Sequence, residues 1–319
     1  MSEDNDGFRT GYVGLLGRPN AGKSTLLNRI LGTKLAITSS KPQTTRNRIV
    51  GVHTDERMQA ILVDTPGIHE GWTELNRAMV QAARSVLDDV DVVCWIQDMT
   101  VLAGRAESDG QVILDEQDRA MAEWLGERSI PLVLVANKID VVPHPLLLPV
   151  IEAVTKTVTV SAAVPTSALT GDGVESLLGA LASALPEGPP LFDPDDWTQA
   201  TERFLVSEII REKIFHLTEQ EVPYSTHVVV RQFDETQRDG TPRNPGIVRI
   251  YADIVVEKES QKGIIIGRGG EMLKRIGTLA RKELVELLDC RTYLELFVRV
   301  ERDWTRTSRG LRRVGFNDE

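Results

Sequence analysis

Residues 17–24 read GRPNAGKS, with two glycines five positions apart followed at once by a lysine and a serine. Glycines let a turn bring its backbone N–H groups close together, lysine adds a mobile positive charge, and a hydroxyl is a hard-metal ligand. The stretch follows the apolar run YVGLLG and opens a predicted helix, the setting in which GxxxxGKS forms a phosphate-binding P-loop. Backbone donors and the helix N-terminus would cradle a β-phosphate. Lys23 would reach the β and γ oxygens, and Ser24 would ligate Mg²⁺. A second phosphate element is DTPG, residues 64–67, at the end of the run AILVD. Asp64 can hold the metal, usually through water, and the Gly67 N–H can bond a γ-phosphate. Between the two lies QTTR, residues 43–46, whose hydroxyls can complete the metal shell.

The base is indicated by NKID, residues 137–140, directly after PLVLVA. The two oxygens of Asp140 can accept together from N1–H and the 2-amino group of guanine, a pair of donors that adenine lacks. Asn137 can bond the opposite edge, the Lys138 stem can lie over the ring, and TSAL, residues 166–169, can offer the Ala168 N–H to the guanine oxygen. Alone, NKID and TSAL read as a cap and a turn. In this order they complete a nucleotide site of Asn20, Ala21, Gly22, Lys23, Ser24, Thr25, Asp64, Thr65, Pro66, Gly67, Asn137, Lys138, Asp140, Ser167, Ala168 and Leu169.

A different chemistry is suggested by GIIIGRGGEMLKRIG, residues 263–277. By itself GRGG reads most simply as a connector between helices. Glycine also leaves room for a large partner's backbone to approach, and the surrounding charge is basic. Lys262, Arg268, Lys274, Arg275, Arg281 and Lys282 meet one acid, Glu271, and further on Arg302, Arg306, Arg309, Arg312 and Arg313 meet Asp303. Arg268, the turn's N–H groups and the helix starting near Glu271 can face phosphates, with bases in a groove lined by residues such as Ile264, Ile265 and Leu273.

The elements that must position these groups follow two rhythms. Up to residue 187, the runs YVGLLG, QAILVDTPG, DVVCWIQD and IPLVLVANK alternate with helical stretches, which predicts a doubly wound α/β sheet with ligands at the C-terminal strand ends. PEGPPLFDPDDW, residues 186–197, interrupts all periodicity. Beyond it the order is helix (202–217), strand (226–233), strand (247–257), helix, GRGG, helix (271–287), strand (292–301), a small α+β domain. In the last strand Leu294, Leu296, Val298 and Val300 share one face, so helices should cover one side only. The expected boundaries are a nucleotide-binding domain at 8–187, a linker at 188–200, and a second domain with a basic C-terminal tail at 201–316.

Composition agrees with a globular protein: 319 residues, 41% hydrophobic and 26% charged. Residues 1–197 carry a net charge of −11 and 198–319 a net of +1, so the basic clusters sit on the nearly neutral half. The acidic start MSEDNDGF lacks the pattern of a signal peptide, and no apolar run approaches the ~20 residues of a membrane span, so a cytoplasmic protein is expected. Cys94 and Cys290 stand in unlike contexts and read as structural.

In sequence, GRPNAGKST, QTTR, DTPG, ANKID and TSA resemble the successive motifs of translation-factor-class GTPases. SEIIREKIF, EVPYSTHV and GIIIGRGGEMLKRIG, with ARKELVELL and YLELFVRV, resemble the C-terminal type II K homology (KH) domain of the Era family of bacterial GTPases. The similarity runs from about Gly11 to Gly315. It implies hydrolysis of GTP to GDP with Mg²⁺ held by Ser24, Thr45 and Asp64, and catalytic roles for Lys23, Thr45 and Gly67. Thr45 is preferred because it directly precedes Arg46 as in related GTPases, with Thr44 the alternative. It also implies a partner: single-stranded ribosomal RNA near the 3′ end of small-subunit rRNA, and the small ribosomal subunit during assembly. The RNA contacts would be Gly267, Arg268, Gly269, Gly270 and Lys274, since a KH turn clamps about four unpaired nucleotides.

The same resemblance carries further expectations. Ile68 follows DTPG where Ras-like enzymes have a glutamine that orients water, so turnover alone should be slow. His69 is read as solvated rather than as a replacement base. Related GTPases with an asparagine at the place of Asn20 can use K⁺ to neutralise transition-state charge; the plain alternative is that Asn20 only stabilises the turn. Membrane attachment is reported for the family, which adds peripheral association with the inner face of the cell membrane, and a mostly monomeric protein is expected. Two rivals are a signalling GTPase whose second domain binds protein, and a metabolic phosphotransferase, in which NKID and TSAL would have no role.

Overall fold

The computed structural model describes residues 7–39, 41, 44–67, 74–85, 88–109, 114–240 and 246–316. By their internal contacts these fall into two compact units. The first is Met1–Ala36, Thr45–His69 and Met79–Gln199, and the second Ile37–Thr44, Glu70–Ala78 and Ala200–Glu319.

In the first unit the strands β1 (Arg9–Gly17), β2 (Ile49–Thr54), β3 (Met58–Asp64), β4 (Val92–Asp98), β5 (Leu132–Asn137) and β6 (Ala162–Thr166) form one sheet, ordered β2-β3-β1-β4-β5-β6. All neighbours are parallel except β2, which runs antiparallel to β3. β1, β3, β4 and β5 are the four apolar runs of the sequence. Every residue of β3 is buried, as expected of a strand covered on both faces. The edge strands β2 and β6 escaped sequence reading. Gly51 interrupts one and Pro165 the other, and an edge accommodates a residue with no N–H to donate.

The helices of this unit include α1 (Lys23–Leu31), α2 (Glu74–Ser85, whose first residues belong to the second unit), α3 (Met99–Asp109), α4 (Glu116–Gly126), α5 (His144–Thr155) and α6 (Val174–Ala184). Leu102, Leu125, Val150 and Val154 of α3, α4 and α5 bury against Leu16, Trp95 and Leu134 of the sheet. Cys94 of β4 is fully buried, and burial pushes its thiol up to about 12, which leaves it an inert core residue.

The segment expected to be a linker, 188–200, runs along the first unit up to Gln199. The fully buried amide of Gln59 accepts from the N–H groups of Leu191 (2.7 Å) and Phe192 (2.9 Å) and donates to the Phe192 carbonyl (2.9 Å). Further on, the Val52 N–H donates to Trp197 and the Thr198 hydroxyl to Val50. Proline and acidic residues had masked this backbone pairing, which needs no periodic side chains.

The second unit places α7 (Glu202–Leu217), β7 (His227–Gln237), β8 (Ile247–Val256), α8 (Glu259–Ile266), α9 (Glu271–Leu288) and β9 (Arg291–Val300) in the expected order, and adds α10 (Ser308–Arg313) within the stretch expected as a basic tail. The sheet is β7-β8-β9, antiparallel then parallel. Thr201 caps α7 by accepting from the Phe204 N–H at 3.2 Å. Ile210 and Ile214 of α7, Ile265 of α8, and Ile276 and Leu284 of α9 pack on Ile250 and Ile254. Leu294, Leu296, Val298 and Val300 face that core, while Tyr293 and Phe297 are exposed on the other side. Helices therefore cover one face of this sheet. Within the same unit Lys41 donates to the carbonyls of Phe215 and Thr218, which ties the segment Ile37–Thr44 to α7.

Candidate functional site: a nucleotide pocket and an exposed glycine turn

Strand β1 ends at Gly17 and α1 begins at Lys23, so GRPNAG makes the turn between them. Gly22 stands at φ +101°, and a Cβ there would lie 2.1 Å from the Asn137 amide nitrogen. From the other side, a Cβ on Gly67 would lie 2.7 Å from the Pro19 nitrogen, so the DTPG backbone abuts the P-loop. Thr65 is fixed there by its hydroxyl, which donates to the Leu15 carbonyl at 2.9 Å; Pro66 and Ala21 are buried and Thr25 is half-buried. Asn20 is exposed with φ +63°, a conformation that asparagine tolerates better than most residues.

Lys23 is only 6% exposed and donates to the carbonyls of Gly17 (3.1 Å) and Arg18 (3.0 Å). Burial lowers its pKa to about 8 despite the opposing pull of Asp64. Two neutral carbonyls compensate a buried ammonium poorly, which suits it to phosphate oxygens. Asp64 is fully buried, and its Oδ2 accepts from Ser24 Oγ (2.7 Å) and Thr45 Oγ1 (2.9 Å), which are themselves 2.9 Å apart. Its Oδ1 has no hydrogen-bond partner, and burial raises its pKa against the effect of Lys23. One carboxylate and two hydroxyls, all hard oxygen donors, with a carboxylate oxygen left over, fit Mg²⁺, which takes one or two carboxylates and completes its octahedron with phosphate and water. Of the two threonines considered, the Thr45 hydroxyl meets Ser24 and Asp64. Gln43, Ile68 and His69 lie outside the described residues.

Sequence reasoning did not find the group that anchors the P-loop from behind. Arg18 donates to Asp115 (2.6 Å) and lies 3.4 Å from Asp118, and Arg105 reaches the same two carboxylates. Burial alone would raise the Asp115 carboxyl, but the Asp118 N–H and both guanidinium groups outweigh it and hold it well below the usual range. Asp115 also caps α4. These residues are about a hundred positions from Arg18, and no spacing rule joins them.

The base-specific elements meet through Asn137, which ends β5 and is 1% exposed. Its amide nitrogen donates to the Ala21 carbonyl (2.7 Å) and its oxygen accepts from the Ala168 N–H (3.0 Å). A guanine oxygen in the site would share that N–H. Lys138 has φ +70° and its ammonium bonds Asp98 at 2.6 Å, which aligns its stem. Asp140 follows in a 3₁₀ turn, Ile139–Val141, and is exposed. Ser167 is fully buried and shapes the loop from within, accepting from the Thr170 N–H at 3.1 Å, whereas Leu169 is 68% exposed.

In the second unit α8 ends at Ile266, a 3₁₀ turn spans Arg268–Gly270, and α9 starts at Glu271. Gly267, Gly269 and Gly270 all have positive φ. The reasons for glycine then part. A Cβ on Gly267 would lie 2.7 Å from Met272, whereas one on Gly269 or Gly270 would meet nothing within 4 Å. Arg268, Gly269 and Lys274 are exposed, as are Arg275, Arg281 and Lys282 along α9. Of the expected groove residues, Ile264 is 48% exposed and Leu273 partly buried, but Ile265 is fully buried in the core and lines no groove. Its neighbour on the helix takes the outer face because residues one apart point about 100° away from each other.

A P-loop, a hydroxyl–carboxylate metal cluster and an asparagine-tied base loop on one sheet, followed by a helix–GxxG–helix on a three-stranded sheet, define a GTPase joined to a KH domain. Residues 12–138 match the family model described as 50S ribosome-binding GTPase, and residues 221–305 match that of the KH domain. The chain is 48% identical over 309 residues to GTPase Era of Geotalea uraniireducens (strain Rf4), covering 97% of this chain and 98% of that one. With GTPase Era of Syntrophus aciditrophicus (strain SB) it shares 48% over 311 residues, covering 98% and 96%. It superposes on a point variant of Aquifex aeolicus Era bound to GDP·AlF4⁻ with a TM-score of 0.88 at 37% identity, covering 97% and 99% of the chains. Era in complex with MgGDPNP and nucleotides 1506–1542 of 16S ribosomal RNA gives 0.86 at 37%, with the same coverage. The chain belongs to the Era family of GTPases.

Proposed function

We propose that this protein is a GTP-driven switch that uses Mg²⁺, binds single-stranded RNA near the 3′ end of small-subunit rRNA through its KH turn, and acts in assembly of the small ribosomal subunit. The observation that carries the reading is the convergence of Ser24, Thr45 and Asp64, with one buried Asp64 oxygen unpartnered, beside the buried ammonium of Lys23. The family model for residues 12–138 is described by the large subunit, whereas the relative matched over 97% of the chain was solved with small-subunit RNA. The second comparison includes the KH domain and therefore carries more weight for the choice of RNA. Crosslinking of the GTP-loaded protein to cellular RNA tests it: sites should cluster at the 3′ end of small-subunit rRNA, and sites confined to large-subunit rRNA would reject it.

In hydrolysis, bound Mg²⁺ supplies charge neutralisation at the β and γ oxygens. Ser24, Thr45 and Asp64 would hold it, Lys23 and the N-terminus of α1 would bind the phosphates, and the Gly67 N–H would serve the γ-phosphate. Phosphoryl transfer depends mainly on such positioning, and with Ile68 in place of a water-orienting glutamine the protein turns over slowly alone. K⁺ held by the Asn20 oxygen would add a positive charge to the transition state. Faster hydrolysis in KCl than in NaCl is expected, and equal rates would leave Asn20 as a turn residue only. The protein acts as a monomer in the cytoplasm, with peripheral contact to the inner membrane face. No described helix is long and apolar enough to cross a membrane.

A further inference from the structure

Helix α1 does more than present Lys23 and Ser24. Its last turn carries Arg29, six residues on from Lys23 and therefore about 9 Å along the axis. Arg29 Nε donates to the Ala168 carbonyl at 3.2 Å, and its Nη2 donates to the carbonyl of Leu169. Its stem runs close to the same loop, since a Cβ on Gly171 would lie 3.7 Å from Arg29 Cδ. One guanidinium thus holds two consecutive carbonyls of the TSAL loop. The N–H of Ala168 points the other way, to Asn137 Oδ1 at 3.0 Å, and Asn137 in turn bonds the P-loop at Ala21. The loop that offers an N–H to the base is therefore gripped on one side by Asn137 and on the other by the far end of the phosphate-binding helix.

We propose that Arg29 is a positioning residue for guanine recognition: by fixing the Ala168 and Leu169 carbonyls it sets the Ala168 N–H at the height where the guanine 6-oxygen arrives when the phosphates sit on the N-terminus of α1. The helix is a rigid spacer between the two subsites, and a charge-assisted pair of hydrogen bonds locks the spacer to the base loop. The inference rests on the reading of Asp140 and Ala168 as the base contacts. Arg29 touches neither phosphate nor metal, so its effect falls on base affinity and not on the reacting atoms.

The test measures binding of GDP and of 6-thioguanosine diphosphate to the full-length protein and to Arg29→Met, Arg29→Lys and Asp140→Asn. The thio analogue keeps both donors to Asp140 but puts sulfur, a weak acceptor, in place of the 6-oxygen. Arg29→Met should weaken GDP by about tenfold, the lower end for hydrogen bonds to a charged group, and weaken the thio analogue much less. Arg29→Lys should recover part of the loss. Equal losses for both ligands, or none for either, would overturn the proposal, the first because it reports a softened α1 and the second because the grip is idle. Asp140→Asn separates the two layers. If it loses GDP while Arg29→Met behaves as the parent, only the role of Arg29 falls; if it binds GDP as tightly as the parent, the base-site reading falls and takes this inference with it. Circular dichroism of each variant confirms folding.

Discussion

The pocket around Lys23 and the turn around Gly269, the two places proposed to meet phosphate, are built oppositely. In the pocket the central groups are buried and tethered: Lys23, Asp64 and Asn137 are at most 6% exposed, Lys23 bonding the carbonyls of Gly17 and Arg18, Asp64 accepting from Ser24 and Thr45, and Asn137 bridging Ala21 and Ala168. The GRGG turn has no such lattice. Arg268 and Gly269 are exposed, and no protein atom fills the space where a Cβ of Gly269 or Gly270 would go. A small, highly charged ligand calls for a preorganised, desolvated cage, since burial strengthens each contact and leaves an orphaned oxygen or ammonium that only the right ligand satisfies. A long polymer calls for an open approach, where strength comes from repeated exposed contacts.

Three experiments break or sharpen that contrast. Lys23→Ala should have the largest effect, lowering kcat/KM for GTP by about 10³, the loss seen when a preorganised charge-stabilising donor is removed. RNA affinity measured on the same variant in the absence of nucleotide should stay at the parent value; a parallel fall would show that the two sites are not built independently.

The reciprocal change, Arg268→Asp with Gly269→Asp, puts two negative charges and two side chains into the open approach. RNA affinity should drop by at least about 100-fold through repulsion and lost phosphate contacts, while GTP binding holds. Fluorescence titrations with labelled RNA and labelled nucleotide on one preparation measure both, and circular dichroism checks the fold. Unchanged RNA affinity in the folded double variant would make the turn a plain connector and move the RNA site towards Arg302, Arg306, Arg309, Arg312 and Arg313.

The smallest effect concerns pH. Burial leaves the Lys23 ammonium of the free protein titrating near 8, and phosphate oxygens raise that value in the complex. Above pH 8 the free protein has lost a proton that the complex keeps, so binding takes one up and affinity falls by at most about tenfold per pH unit. Calorimetry of GDP binding at pH 8.5 in two buffers of different ionisation heat would report the proton, and no uptake would place the Lys23 pKa elsewhere.

What could be read without coordinates follows the kind of signal involved. GRPNAGKS, DTPG, NKID and GRGG are contiguous; GRPNAGKS and GRGG encode their own turns through φ-positive glycines and a following helix N-terminus, and DTPG and NKID each begin on the last residue of a buried apolar strand. The central strands were equally legible, since a strand buried on both faces must be apolar throughout. Edge strands escaped: Gly51 in β2 and Pro165 in β6 are tolerated where pairing is incomplete. Ile265 was placed in a groove because periodicity tells which residues share a face, not which of two apolar neighbours the core claims.

Sequence by itself determined which motifs carry chemistry: Lys23, Ser24, Asp64, Asn137 and Asp140 are recognisable because their residue types are tied to short spacings. Only the tertiary structure decided what holds them. That Thr45 is the hydroxyl beside Ser24 and Asp64, that Asn137 reaches Ala21 of the P-loop across 116 positions and Ala168 across 31, that Asp115 anchors Arg18 and that Arg29 grips two carbonyls 139 and 140 residues away are all long-range contacts. A hydrogen bond depends on atoms within about 3 Å of each other and carries no record in the chain of how many residues lie between them.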